Sequence, residues 1–539
     1  MPIWRWSPFL VNSLNLARSV FTESRQNPDS LAVVCGKDSL TYLELARRAA
    51  QFAGCLRQYQ RSGQLDFKSL RVGVVASRGI EACVTVLGVC WAGATYVPIG
   101  SRIPEDRLLA ILSQADLSVL IVDKDGLDAL TERVLAASPD LVIIAAVQDS
   151  PCGQGRIRLI DRDALRAVEF DETPPPRPMA ADETAYVIHT SGTTGAPKGV
   201  MISVGAAIHY VSTMSRLVGL RASDRVLDTF DLTFDVSVHN LFTTWHCGAT
   251  LYILPASQVM NALNFVRTNQ LTVWSLVSSF AAMLQLTGLA TPQSLPALRL
   301  TMFGGEPLTT GIVEFWRNIA PNTAIYNLYG PTEATVTCLA LRVPEVLPSA
   351  PGAGTIAIGK PLPGVEAAVF DDGSGVVADG TAGELAIAGI QLAQGYLGEA
   401  LVPDLRFPVL RGKRWYLTGD RVIRDESGTF HFLGRNDHQV KILGHRVELE
   451  EIEHHLRDVT RAPLVCAVPW PVVDGKPMGV VGVVGSAAVD ARQVLNALGA
   501  RLPEYMLPTD VVAIEDIPLT RTGKVDRRAL HERVDSQLR

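Results

Sequence analysis

The segment HTSGTTGAPKGV, residues 189–200, carries three glycines, four hydroxyl side chains and one lysine directly after the apolar run AYVI. Gly192, Gly195 and Gly199 let backbone N–H groups approach an anion closely. Thr190, Ser191, Thr193 and Thr194 add hydroxyl donors, and Lys198 adds positive charge. That set of groups suits a polyphosphate. The spacing is neither G-x-x-x-x-G-K-[ST] nor G-x-G-x-x-G, so the two commonest nucleotide loops are disfavoured. A plain Ser/Thr/Gly linker would share this composition, but not a lysine at a set place after a strand.

Four more side chains have chemical potential, each with an ordinary alternative. Lys524, in RTGKVDRRAL, sits among Arg521, Arg527 and Arg528 and on local charge alone is a solvated lysine. Glu333, in YGPTEAT, follows the turn-makers Gly330 and Pro331. Asp420, in YLTGD, is by itself a turn residue, and Asp235, in FDVSV, is an equally good helix N-cap, as is Ser237.

The elements that must position these groups alternate in type. SLTYLELARRAAQFAGCLR (39–57) has helical apolar spacing, RVGVVA (71–76) is a short buried-strand run, and EACVTVLGVCWAGATYVPI (81–99) reads as helix then strand. Such alternation implies an α/β architecture. TPPPRPMA (173–180) forms an extended connector ahead of the phosphate loop. LTVWSLVSSFAAMLQ and LRLTMFGG continue the alternation, and 381–398 is rich in strand. Beyond residue 434 the pattern becomes a strand, a helix with Leu449, Ile452 and Leu456 on one face, two strands, and a helix near 491–502. About a hundred residues of that kind make a separate small α+β unit.

In order along the chain, WAGATYVPI (91–99), the phosphate loop, FDVSVHNLF (234–242), FGGEPL (303–308), NLYGPTEATV (327–336), GELAIAG (383–389), YLTGDRV (416–422), GRNDHQVKILGHRVELEEIE (434–453), LPEYMLP (502–508) and LTRTGKVDRRAL (519–530) resemble the adenylate-forming superfamily. The resemblance is greatest to the amino-acid adenylation domains of nonribosomal peptide synthesis and covers nearly the whole chain. It implies a large N-terminal core of packed mixed sheets with helices, residues 1–436, and a small mobile α+β lid, residues 437–539. It also implies the reaction: a carboxylate attacks the α-phosphate of ATP, pyrophosphate leaves, and a thiol captures the acyl-adenylate.

Each motif residue acquires a role from that resemblance. Lys524 resembles the lysine that touches the substrate carboxylate and the α-phosphate, where cations must offset concentrated negative charge. Lys198 and the loop residues Thr190 to Gly195, with Gly304 and Gly305, belong to the nucleotide site. Glu333 resembles the carboxylate that holds Mg²⁺, a hard cation suited to oxygen ligands. Thr332 is assigned to the α-phosphate, Asn327, Tyr329 and Gly330 to the adenine side, and Asp420 and Arg435 to the ribose. Asp437 stands at the hinge about which the lid would turn, exchanging Lys524 for a face made of Lys441, Gly444, His445 and Arg446.

Asp235 resembles the carboxylate that pairs with the ammonium of an α-amino acid; aryl- and fatty-acid ligases have no use for a buried unpaired carboxylate there. The substrate walls would be Val236, His239, Ser275, Thr301, Phe303, Leu328, Val336 and Thr337, with Lys524 at the carboxylate end. Phe303 would fill the floor and favour glycine, alanine or serine. Proline and non-proteinogenic analogues stay open, and His239 is also readable as a packed, satisfied core histidine.

Fifteen residues follow Lys524 and no G-G-x-S segment occurs, so the expectation is a free-standing enzyme loading the phosphopantetheine of a separate carrier protein. An acyl-CoA ligase, an amide-forming ligase and a catalytically silent nucleotide-binding relative are the alternatives. The net charge of −6 offers no basic field to nucleic acid, no apolar stretch is long enough to span a bilayer, and a cytoplasmic location is expected. Eight scattered cysteines with no C-x-x-C pair read as buried free thiols.

Overall fold

The structure is a computed structural model that describes residues 14–61, 70–139, 141–144, 157–159, 174–191, 197–286, 288–347, 354–371, 375–398, 406–436, 439–462, 464–473, 476–486, 488–518 and 525–538. The expected phosphate-loop residues Gly192, Thr193, Thr194 and Gly195, the hinge residue Asp437, and Lys524 lie outside the described residues.

The alternating apolar runs become parallel strands covered by helices. One eight-stranded sheet centres on Arg71–Ala76, flanked by Thr95–Gly100 and Val119–Val122 in parallel register. Near its edge Thr184–Thr190 pairs antiparallel with Lys198–Ser203, so that Thr190 lies opposite Lys198. A nine-stranded sheet has a parallel centre that includes Arg225–Asp228, Val273–Leu276, Leu300–Gly304 and Ala324–Tyr329. A four-stranded antiparallel sheet brings Tyr416–Arg424 beside Phe430–Arg435. The fold class is thus α/β with mixed sheets and a C-terminal subdomain.

That subdomain has its own apolar centre. Leu449, Ile452 and Leu456, spaced on one face of the helix Leu449–Thr460, pack with Val465, Val480, Leu498 and Met506. The hairpin Gln439–Ile442/His445–Glu448 projects from it toward the larger body. A buried ion pair between Arg107 and Glu451 joins the two parts. Among the described residues no helix is long and apolar enough to cross a membrane. Of the seven described cysteines, Cys55, Cys83, Cys90, Cys338 and Cys466 are buried as expected, whereas Cys35 and Cys247 are partly exposed.

Strand alternation assigns side chains to opposite faces of the nine-stranded sheet. Along Leu300–Gly304, Leu300 and Met302 join the central core between the sheets, while Phe303 joins Trp274 and Trp316 on the outer face. The Phe303 ring meets Trp316 edge-on at 5.4 Å, and Thr301 Oγ1 accepts from Trp316 Nε1 at 2.9 Å. Phe303 is therefore core packing, and Phe303→Ala is expected to lower stability by about 3–5 kcal/mol. Urea unfolding measures this loss, and amino-acid selectivity should stay as it was.

Candidate active site

Two connected cavities open where the parallel strands of the nine-stranded sheet end, the usual location for a ligand in an open α/β sheet. The outer one has a volume of about 130 Å³ and draws walls from both parts of the chain: Thr190, Ser191, Asp235, Gly304, Gly305, Tyr329, Gly330, Thr332, Asp420 and Arg435 from the body, and Lys441, Gly444, Arg446 and Tyr505 from the subdomain. The inner one, about 60 Å³, shares Asp235, Gly304, Gly305 and Gly330 and continues to Val236, His239, Ser275, Met302, Leu328, Val336 and Thr337.

Backbone geometry forms the shared wall. A Cβ on Gly330 would fall 2.4 Å from Val336 O, so only glycine lets these two segments pass. Opposite it, Thr335 and Val336 hold positive φ values of 57° and 65°, rare for β-branched residues and the kind of strain that clusters at functional sites.

The ribose-side candidates meet as strand neighbours. Asp420 and Arg435 are register partners and form an ion pair, and the Tyr329 hydroxyl donates to the second Asp420 oxygen. Asn327 is buried, and its amide donates to Ala357 O at 2.8 Å and to Ile356 O at 3.3 Å. Lys198 stands beside the site, with Nζ 5.5 Å from the centre of the Tyr396 ring. The Tyr396 hydroxyl in turn donates to Glu333 Oε1 at 2.8 Å.

Glu333 is 1% exposed and Arg446 Nη1 reaches its Oε2 at 2.9 Å. Burial alone would push this carboxyl up, but the guanidinium, with the Tyr396 hydroxyl, holds it below the ordinary range. A carboxylate kept ionised and already facing a cation fits the expected Mg²⁺ role. Among the described residues no cluster of three or more His, Cys, Asp or Glu exists, so an ion here would take its remaining ligands from phosphates and water.

The subdomain presents the Lys441 face. Ser191 Oγ donates to Arg446 O at 2.8 Å, and Gly444 N–H donates to Glu306 Oε1 at 2.6 Å. Burial lowers the Lys441 ammonium, with Asp420 opposing. The His445 ring stacks on Tyr505 at 3.9 Å and meets Phe234 edge-on at 4.5 Å, and both of these partners line the outer cavity. Val525, next in sequence to Lys524, packs against the apolar cluster that includes Leu530 and Val534.

Asp235 lies at the junction of the cavities. The Thr332 hydroxyl, the Lys441 ammonium and the Val236 N–H favour its charged form, but among the described residues it has no ion-pair partner within 4 Å. Burial pushes its pKa up to about 6. His239 is held neutral, near 4, by burial, and its Nδ1 shares a hydrogen bond with the Tyr210 hydroxyl at 2.9 Å. Val236, His239, Ser275, Leu328, Val336 and Thr337 gather around the inner cavity, whereas Thr301 and Phe303 do not. The strand presents Met302 and Gly304 instead, the positions one residue away, because successive side chains point to opposite faces. Sequence reasoning missed Met302, Tyr210 and Glu306; the last stands within FGGEPL, where an acidic residue after two glycines was a visible signal.

Arg446→Met leaves Glu333 buried without its cation, which costs about 3–5 kcal/mol in comparable pairs. The expected result is a lower melting temperature in metal-free buffer. Adding Glu333→Gln should recover most of the loss.

A family model described as AMP-binding enzyme matches residues 20–397. The anguibactin system regulator of Vibrio anguillarum is 30% identical over 96% of this chain, which spans 47% of that protein, so the chain is about half the length of such relatives. The D-alanine--D-alanyl carrier protein ligase of Bacillus licheniformis is 28% identical over 97% of this chain and 100% of its own length. Among solved structures, the Vibrio cholerae adenylation domain AlmE in complex with glycyl-adenosine-5'-phosphate superposes with a TM-score of 0.84 at 29% identity, covering 100% of both chains.

Proposed function

The chain belongs to the AMP-binding enzyme family, and from that premise we propose that it activates a small amino acid with ATP and passes the aminoacyl group to the phosphopantetheine thiol of a carrier protein. The observation that carries the reading is Asp235: a half-buried carboxylate at the junction of the cavities, its pKa pushed up to about 6 by burial and without an ion-pair partner among the described residues, would be completed by an α-ammonium. The inner cavity of about 60 Å³ supports a short side chain. The names of two relatives agree in kind, one a ligase for D-alanine and a carrier protein, the other an adenylation domain holding a glycyl adenylate.

In this reading the substrate ammonium sits on Asp235 and its carboxylate points into the outer cavity, where ATP lies between Tyr329 and Asp420–Arg435 on one side and Thr190 and Ser191 on the other. Thr332 holds the α-phosphate. Glu333 would hold Mg²⁺, which supplies charge neutralisation of the phosphates. With Arg446 on Glu333 and Lys441 facing the cavity, the described arrangement suits the thiol-transfer half of the cycle. For adenylation the unit 437–539 would turn about Asp437 and bring in Lys524.

Amino-acid-dependent exchange of labelled pyrophosphate into ATP is the direct test; exchange with no member of a broad panel, or CoA thioesters formed from non-amino acids, would refute the assignment. Asp235→Asn should lower kcat/KM by roughly a hundredfold or more, the cost of leaving a buried ammonium unpaired. Because the raised pKa means that Asp235 takes up a proton as pH falls through about 6, kcat/KM should drop below that value, about tenfold per pH unit.

The two lysines should separate the half-reactions. Lys524→Ala is expected to remove adenylate formation and leave transfer from preformed adenylate, whereas Lys441→Ala harms transfer more. Equal losses in both steps would contradict the exchange of faces.

A further inference from the structure

Among the described residues, the inner cavity contains a buried hydroxyl without a hydrogen-bond partner. Ser275 is 4% exposed, and its Oγ has no hydrogen-bond partner among the described residues. It sits on the strand Val273–Leu276, in register beside Met302, and both line the cavity. Two other polar walls are already engaged with each other, since the Tyr210 hydroxyl shares a hydrogen bond with His239 Nδ1 at 2.9 Å. A buried hydroxyl without a partner loses its water bonds with no return, so such a group normally awaits a ligand or a water.

Size and charge narrow the ligand. One water needs about 10–15 Å³ of such space, so a cavity of about 60 Å³ admits roughly four to six heavy atoms. The ammonium nitrogen and α-carbon take two of these, leaving room for a side chain of at most about two to four atoms by the same estimate. Apart from Asp235, which the ammonium engages, no ionised group among the described residues lines the inner cavity, so a charged side chain would find no counter-charge among them.

We propose that this pocket selects a small hydroxyl-bearing amino acid, serine in the first instance, and that Ser275 is the residue that reads the substrate hydroxyl. The assignment rests on the amino-acid adenylation reading above and deepens it. Glycine and alanine fit by size but would leave Ser275 Oγ buried and dry or trap a water; a substrate hydroxyl both fills the space and completes the bond. Met302 lies in register beside Ser275 and lines the same cavity, so its side chain takes up space that a longer substrate side chain would need.

The test is pyrophosphate exchange with glycine, alanine, serine, threonine, valine and leucine, using the wild-type chain, Ser275→Ala and Met302→Ala. Serine should exceed alanine in kcat/KM by roughly tenfold or more, and Ser275→Ala should bring the serine-to-alanine ratio down toward one. Met302→Ala should admit leucine. Removing an unpartnered hydroxyl should leave the melting temperature of Ser275→Ala unchanged or higher, while the rise that serine causes in the wild-type melting temperature should shrink in the variant. Alanine or glycine preferred over serine, or a ratio unaltered by Ser275→Ala, would overturn this assignment and leave the adenylation reading standing. Absence of exchange with every amino acid would overturn both.

Discussion

The arrangement of this molecule depends on the buried ion pair between Glu333 and Arg446. Two charges withdrawn from water cost several kcal/mol each, recovered only when the partners are close and their remaining bonding sites are filled. Here Arg446 approaches to 2.9 Å and the Tyr396 hydroxyl supports the carboxylate. The pair joins the body to the hairpin of the subdomain, and neighbouring contacts follow from it: Ser191 holds the Arg446 carbonyl, and Glu306 receives the Gly444 N–H. Whether a guanidinium or another cation faces Glu333, and where the hairpin stands, are therefore one variable.

Asp235 is the opposite case. It is only half-buried by surface exposure, no cation among the described residues lies within 4 Å of it, and its pKa rises to about 6. The two carboxylates differ in their partners: Arg446 pairs with Glu333, whereas no cation among the described residues pairs with Asp235. One site is complete within the chain; the other is short of a positive charge. An incomplete buried site is stable only where the rest of the fold holds it in place, and here the surrounding strands and the Gly330–Val336 crossing do so.

The sheets place these groups through their ends and their alternation. Strand termini deliver Gly304 and Tyr329 to the cavities, and register pairing alone sets Asp420 against Arg435 and Ser275 against Met302. Larger aromatic residues such as Trp274, Trp316 and Phe303 pack behind the site on the outer face. Rigid packing behind a polar cavity keeps its groups within the narrow tolerances that recognition requires.

Much was legible in the residues themselves. Helical and strand periodicity located Arg71–Ala76, the helix bearing Leu449, Ile452 and Leu456, and the order of α and β elements, because period is a local property of the chain. Local composition likewise singled out Glu333, Asp420 and Asp235 as groups with chemistry in reach. Tertiary structure alone decided which of them meet. The phase of one strand turned Phe303 into the core and Met302 into the cavity, an outcome that a shift of a single residue reverses and that no local pattern encodes. Arg446 found Glu333, 113 residues distant, only because the hairpin folds over the body. Sequence supplied the periods and the functional groups; the pairing of charges and the choice of face arose from packing between segments far apart in the chain.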